Sequence, residues 1–247
     1  MTANQFYVPR ISEGAVRVVL IGDEHRHLAR AARVRAGDQI WLFDGSGRRC
    51  LARVERIAED RTEAAVLRME EPEPPRTRVV LAQCLMEAKK LEIVLEMAAE
   101  LGCSDFIPVS SRRSIKASGE WGDRKLERWK RIAREAAKQC KAQLLTEVHR
   151  PRPLGELLRA PGAQRLLFLS ERGGRPLKDI VTASTPQAEG APVSVLLLVG
   201  PKGGWTEEEE REIRKAGFEG VSLGRRILRA ETAAVAGAAM IAHFWIE

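Results

Sequence analysis

The sequence predicts an α/β protein in two parts. The first 71 residues are rich in short strands with period-two alternation. After them, strand-like runs alternate with helix-like runs, the rhythm of a mostly parallel sheet covered by helices. Two of the later runs, "RLLFLS" and "VSVLLLVG", are almost wholly apolar, as expected of strands buried on both faces.

Taken in order, "AVRVVLIG" alternates weakly, "DQIWLFDG" strongly, and "CLARVERI" follows with the same period. Between the last two, Asp44-Gly45 and Ser46-Gly47 offer the positive-φ positions of a tight hairpin. One helix, "DEHRHLARAARV", interrupts the strands, with Asp23 as its expected N-cap. A small barrel over 1–71 is the expectation. The proline-rich Glu71–Arg76 cannot continue a helix or a central strand and reads as a linker to a second domain over 76–247.

In that second part "RVVLAQCL" is a strand. "EAKKLEIVLEMAAELG" is a helix with Leu91, Val94, Leu95 and Ala98 on one face and Gly102 just past its end. "DFIPVS" is a strand. "DRKLERWKRIAREAAKQC" is a helix whose inner stripe is Leu126, Trp129, Ala133, Ala136 and Cys140. "PQAEGAP" reads as a loop.

The apolar runs are too short to cross a bilayer, and the first residues lack a signal-peptide pattern. Four scattered cysteines without CxxC spacing fit a reducing cytoplasm and argue against a zinc site or a disulfide framework. His25 and His27 form a pair that no further ligand set completes. A surface or RNA-facing role is expected for them, and structural roles for His149 and His243. The formal net charge is +7. It gathers in one cluster holding Arg26, Arg30, Arg33 and Arg35, and in another from Arg112, Arg113 and Lys116 into the helix carrying Lys125 to Lys141. Either these are solvated faces or they track a phosphate backbone.

Two stretches carry chemistry. In "LLVGPKGGWTEEEE", Gly200, Gly203 and Gly204 let backbone approach a ligand where a strand ends. Thr206 and Glu209 form a capping box. The four glutamates opening the helix suit its dipole but would repel phosphate, and GxxxxGK[ST] spacing is absent. A ligand with an adenine ring and a positive charge suits the turn better; a plain glycine-rich turn is the alternative. In "SLGRRILRAETAA", Arg229 and Glu231 precede a helix apolar nearly all round. They should therefore sit near the interior or a pocket, as an ion pair or as catalytic groups.

"VGPKGGW", "SLGRRILRAETAA", "ELGCSDFIPVSSRRS" and "HLARAARVRAGDQIWLFDG" together resemble, in order and spacing, the bacterial 16S ribosomal RNA uridine N3-methyltransferases of the SPOUT superfamily. The resemblance runs from Tyr7 to Phe244. It implies a PUA-like N-terminal β-barrel and an α/β SPOUT domain with a C-terminal trefoil knot. It further implies a homodimer that uses S-adenosylmethionine and no metal, acting on 16S ribosomal RNA or the small ribosomal subunit. Cofactor contacts are implied for Leu169, Ser170 and Glu171; for Val199, Gly200, Pro201, Gly203 and Gly204; and for Ser222, Leu223, Gly224, Arg226, Ile227 and Leu228. RNA contacts fall to Arg10, Arg26, Arg30, Arg33, Arg112 and Arg113. Arg229 would stabilise the uracil anion, while Glu231 orients Arg229 or accepts the proton. The sequence departs from the family at Lys202, where Glu is usual, and at Trp205, where Phe or Leu is common. Ribose 2′-O-methylation on the same fold, and an RNA-binding assembly factor without catalysis, are the rival readings.

Overall fold

The computed structural model describes residues 4–70, 77–115, 122–183 and 194–246. The expected linker Glu71–Arg76, Lys116 and the "PQAEGAP" loop lie outside these described residues. The chain forms two compact units, Met1–Pro74 with Ala137–Leu145, and Pro75–Ala136 with Thr146–Glu247.

The first unit is a five-stranded curled sheet. Its strands are β1 (Gln5–Tyr7), β2 (Arg17–Ile21), β3 (Gln39–Phe43), β4 (Arg49–Ile57) and β5 (Arg61–Glu70), in the order β1-β3-β4-β5-β2. β1 runs parallel to β3, and the other pairs are antiparallel. Register shifts in β4 between Leu51 and Ala52 and between Val54 and Arg56 bend the strand and help the sheet curl. The alternating side chains bury Phe6, Leu20, Ile40, Leu42 and Val54 inside the curl. Gly45 and Gly47 take φ of 79° and 102° in the β3–β4 turn. A Cβ at Gly45 would stand 2.5 Å from the Leu145 side chain, so the segment 142–145 lies directly on this turn.

Two expectations change here. The helical segment is a short α-helix, α1 (Gly22–Arg26), continued by a π-helical turn, His27–Ala31. Its N-cap is Ile21; Asp23 lies inside the first turn and pairs with Arg26 instead. His25 is buried. Its Nδ1 lies 2.9 Å from Thr62 Oγ1 and its Nε2 3.1 Å from the Glu59 carbonyl, so it is a structural residue, while His27 is exposed.

The second unit holds β6 (Arg78–Cys84), α2 (Ala88–Glu100), β7 (Asp105–Ser110), α3 (Asp123–Cys140), β8 (Glu147–Val148), β9 (Arg152–Pro153) and α4 (Leu154–Arg159). β10 (Arg165–Leu169), β11 (Arg175–Pro176), α5 (Leu177–Ala183), β12 (Ser194–Val199), α6 (Glu207–Lys215), β13 (Glu219–Ser222) and α7 (Ala230–Trp245) follow. The last four residues of α3 belong to the first unit. The sheet is parallel, in the order β11-β13-β10-β12-β6-β7-β8, with β9 also on β7.

Both faces are covered. Val195 and Leu197 of β12 point into a core with Leu91, Leu95, Trp129, Ile180, Ala238 and Trp245. Leu196 and Leu198 point the other way, against Leu157, Ile213 and Phe218. β13 lies between β10 and β11, which are consecutive strands in the chain. The loop joining those two crosses β13 so closely that a Cβ on Gly174 would stand 2.4 Å from the Gly220 carbonyl oxygen. This interleaving agrees with the strand arrangement that the resemblance implies.

α7 is buried along one stripe, Ala234, Gly237, Ala238, Ile241, Ala242 and Trp245, rather than all round. Small residues on that stripe let the helix lie on β12, and a Cβ at Gly237 would meet Leu197 Cδ2 at 2.8 Å. Cys140, expected on the inner stripe of α3, is exposed, because the inward positions of the last turn are Ala137 and Lys138. The basic outer face of α3 is partly consumed by ion pairs, Arg128 with Glu92 and Lys130 with Glu127.

Candidate functional site

Loops leaving the carboxyl ends of neighbouring parallel strands converge, and that is where open α/β sheets bind ligands. Here the loops after β10, β12 and β13 enclose a cavity of about 600 Å³. Leu169, Ser170 and Glu171 line it from the first loop. Val199, Gly200, Pro201 and Gly204 line it from the second, and Ser222, Leu223, Gly224, Arg226, Ile227 and Leu228 from the third. Arg229 and Glu231 are also on its wall. Of the sequence-predicted cavity residues only Gly203 stands outside this lining.

The second loop is shaped by backbone constraints. Gly200 faces the Trp205 indole so closely that a Cβ there would stand 3.0 Å from the ring. Gly204 has φ +66°, and a Cβ on it would meet Glu171 Oε2 at 3.2 Å. The buried Trp205 donates its Nε1–H to the Leu169 carbonyl at 3.0 Å, so it fastens the second loop to the end of β10. Gln83, the penultimate residue of β6, donates to the Gly200 carbonyl.

The acidic start of α6 ties the loops together. Thr206 and Glu209 form the expected capping box. Glu209 is only 2% exposed, and its carboxylate accepts the Thr206 amide at 3.0 Å and the Arg112 amide at 2.7 Å. Glu210 accepts the Ser170 hydroxyl at 2.9 Å and the Arg214 guanidinium at 2.9 Å. The two carboxylates therefore face neighbouring loops, not the helix axis alone. Arg112 and Arg113, read in sequence as an RNA-facing pair, are engaged with the same region: Arg112 with Glu208, Arg113 with the Gly203 carbonyl at 2.9 Å.

The third wall is cationic. Arg225, Arg226 and Arg229 are exposed at its edge. Arg229 is the N-cap residue of α7, ahead of the packed turns, and this position explains its exposure. Glu231 is half-buried in the first turn, and its carboxylate pairs with Lys90 at 3.0 Å rather than with Arg229. Its carboxyl is held below the usual range by its own backbone amide, then by Lys90 and, through space, by Arg229; desolvation opposes them. Lys90, in the first turn of α2, escaped sequence reasoning. A lysine in "AKKLEI" at the polar edge of an amphipathic helix looks like any solvated lysine, and only the fold brings it to this cavity. Trp205 packs against the core below the loop and also pins two loops.

Elsewhere, Asp105 bonds Arg78 and His149, the latter at 2.8 Å. Asp105, Glu147 and His149 stand close enough together to hold a metal ion, but Arg78 already occupies the Asp105 carboxylate. No helix among the described residues is long and apolar enough to cross a membrane.

Comparison with known proteins adds the following. Residues 72–242 match the model of an RNA methyltransferase domain, and residues 20–67 that of an RNA methyltransferase PUA domain. A ribosomal RNA small subunit methyltransferase E of Mycobacterium bovis is 32% identical over 241 residues, covering 95% of this chain and 89% of that protein. Among solved structures, a ribosomal RNA small subunit methyltransferase E of Neisseria gonorrhoeae bound to S-adenosylmethionine superposes with a TM-score of 0.86 at 30% identity. That match covers 99% of this chain and 98% of the other. A Legionella pneumophila methyltransferase in complex with the same cofactor gives 0.85 at 26% identity, over 98% and 97%.

Proposed function

Because the chain belongs to the RNA methyltransferase family and carries that family's PUA domain as well, we propose that it is an S-adenosylmethionine-dependent methyltransferase of small-subunit ribosomal RNA that modifies N3 of a uridine. One observation carries the reading: three strand-end loops, the first two pinned together by Trp205 and Glu210, form a glycine-lined cradle of the size usual for a small-molecule site.

The residues present suit the methyl donor. Gly200 and Gly204 sit where side chains would fill the cradle, so backbone amides and carbonyls can reach the ligand. Glu171 offers a carboxylate on the side of a cationic group. Bound there, S-adenosylmethionine supplies a methyl group on a positively charged sulfur, already activated for transfer. Lys202, the departure from the family pattern, is exposed and lies at the cavity. None of the bonds described above between the loops runs through it.

The remaining chemistry belongs to the chain. The uracil N3–H bond must break, its proton passing to the Glu231 carboxylate and its electron pair staying on the base. The negative charge is shared by N3 and the flanking carbonyl oxygens, where the Arg229 guanidinium stabilises it. The N3 pair would then form the bond to the methyl carbon as that carbon's bond to sulfur breaks, its electrons staying on sulfur. A carboxylate with a depressed pKa is a weak base. It suits an imide far better than the much less acidic ribose hydroxyl, and this favours N3 over 2′-O. Positioning of donor and acceptor supplies much of the rest.

In the first unit, exposed Arg10, Arg26, Arg30 and Arg33 are assigned to RNA phosphates, with Arg26 shared with Asp23. Arg112 and Arg113, already bonded to the α6 side of the cradle, are assigned first to holding that loop and only then to RNA. The whole would act as a homodimer, through the face of α2 that leaves Ile93 47% and Met97 39% exposed one turn apart. Four free cysteines suit a cytoplasmic enzyme.

The decisive experiment incubates the protein with S-adenosylmethionine and small-subunit RNA from cells lacking the gene, then digests the RNA for nucleoside mass spectrometry. A methyl on the uracil base is expected. Arg229→Ala and Glu231→Gln should lose transfer while calorimetry still detects cofactor binding. A methyl on the ribose, or full turnover in both variants, would refute the assignment.

A further inference from the structure

Of the charged residues on the cavity wall, Lys90 alone comes from outside the three loops and the start of α7. α2 buries Leu91 and Val94 against α7 and the sheet, which fixes the helix and turns Lys90, one residue earlier, toward the first turn of α7. There its Nζ meets Glu231 Oε1 at 3.0 Å, with the two side chains 31% and 24% exposed. An ion pair this open to solvent adds little to folding. Its place on the wall of the reaction cavity is therefore the informative fact.

We infer that Lys90 is a positioning residue for methyl transfer: its ammonium holds the Glu231 carboxylate in the orientation in which that group receives the uracil N3 proton. The role rests on the function proposed above. Glu231 sits in the first turn of α7, just after the loop, but its own side chain has rotatable bonds. Without a partner it can swing to Arg229 or into solvent. Lys90 removes that freedom by holding Oε1, and Oε2 is left for the proton. The proton moves from N3 to the carboxylate and Lys90 keeps all of its own, so the step balances without a further reactant. The groups acting on Glu231 are Lys90 from α2, Arg229 from the preceding loop and the α7 backbone amide. Glu171, Lys202, Arg225 and Arg226 face the same cavity from its other walls.

Three variants test this: Lys90→Met, Lys90→Gln as a polar control of similar length, and Lys90→Arg as the charge-conserving rescue. The first readout needs no ligand. In protein labelled with ¹³C at glutamate carboxyls, with the Glu231 signal assigned through Glu231→Gln, Lys90→Met and Lys90→Gln should move the Glu231 titration to higher pH. Lys90→Arg should leave it near its wild-type position. The second readout is kcat against pH. Both neutral variants should lose about tenfold at neutral pH, and more on the acid side, with the acid limb displaced upward. KM for S-adenosylmethionine should stay within about twofold. Lys90→Arg should recover most of the loss.

An unmoved Glu231 titration, or an unmoved acid limb, overturns the inference. So does a rise in cofactor KM that accounts for the whole loss, which would make Lys90 a cofactor-binding residue. So does a fall in melting temperature that tracks the loss in every variant, which would make it structural. A wild-type protein unable to methylate RNA would defeat the functional reading itself, and the role with it. An active wild type with unchanged profiles in the variants defeats the role alone.

Discussion

Glu209→Ala should be the most damaging single change in the acidic start of α6. The side chain is 2% exposed. One oxygen accepts the Arg112 amide at 2.7 Å and the other the Thr206 amide at 3.0 Å, so two backbone donors of two different loops end on one carboxylate. Removing it leaves both donors without that partner and breaks half of the capping box. A stranded, partly buried amide costs about 1–3 kcal/mol, and the lost cap lies in the same range. These terms overlap, and the sum should be about 3 kcal/mol. For a unit of this size each kcal/mol lowers the melting temperature by about 2–4 °C, so Glu209→Ala should melt about 6–12 °C early. Glu209→Gln keeps one accepting oxygen and should lose roughly half as much. Circular dichroism melts read the stability, and calorimetry with S-adenosylmethionine reads the cradle, whose second loop hangs on the same carboxylate. Melting within about 1 °C of wild type, or identical melts for both variants, would refute this account of the loop clasp.

Two further outcomes are expected. Burial opposes ionisation of Asp105, but bonds from His149 and Arg78 outweigh it and hold the carboxyl below its usual range. A group depressed on folding stabilises above its unfolded pKa and loses that contribution as pH falls through the folded value. The urea midpoint of wild type should therefore exceed that of Asp105→Asn at neutral pH and converge on it in acid; a gap that stays constant with pH would contradict this. Ile93→Glu with Met97→Glu should shift sedimentation from dimer to monomer, and an unchanged profile would place the interface elsewhere.

Much of the fold could be read from the sequence because burial leaves a period. The helix from Asp123 to Cys140 keeps the ends and, except at Cys140, the inner face that spacing implies, and the apolar run of β12 is buried as its composition implies. The convergence of Ser170, Gly200 and Leu223 on one cavity followed from strand-end logic joined to the family resemblance. What escaped was direction. The run "EEEE" reads as one acidic stripe serving the helix dipole. Yet Glu209 and Glu210 are buried and bonded to neighbouring loops, while Glu207 and Glu208 are exposed. Helical rotation separates them, and sequence pattern gives no sign of which loops will lie beside each. His25 escaped for a related reason: its partners, Thr62 of β5 and Glu59 of the turn before it, lie more than thirty residues away.

The same directional detail decides what the cavity can hold. Anionic groups gather toward one side of it, with Glu171 on the wall and Glu207 to Glu210 at the start of α6 beyond the β12 loop, although that loop also brings Lys202 to the lining. Cationic groups gather toward the other, with Lys90, Arg225, Arg226 and Arg229 around the β13–α7 passage and Glu231 held among them. Glu209 and Glu210 hold their carboxylates at the helix start by bonds to amides, a hydroxyl and an arginine, and fixed negative charge there repels a phosphate. A triphosphate would face carboxylates on one wall. A ligand with a cationic centre meets attraction there, while an acceptor that becomes anionic as it reacts, on a polyanionic strand, meets attraction on the opposite wall. Methyl transfer from a sulfonium to an ionised imide starts with opposite charges on the two reactants and ends with both neutral. A cavity whose charges are biased in the complementary sense favours holding those reactants face to face before the bond forms.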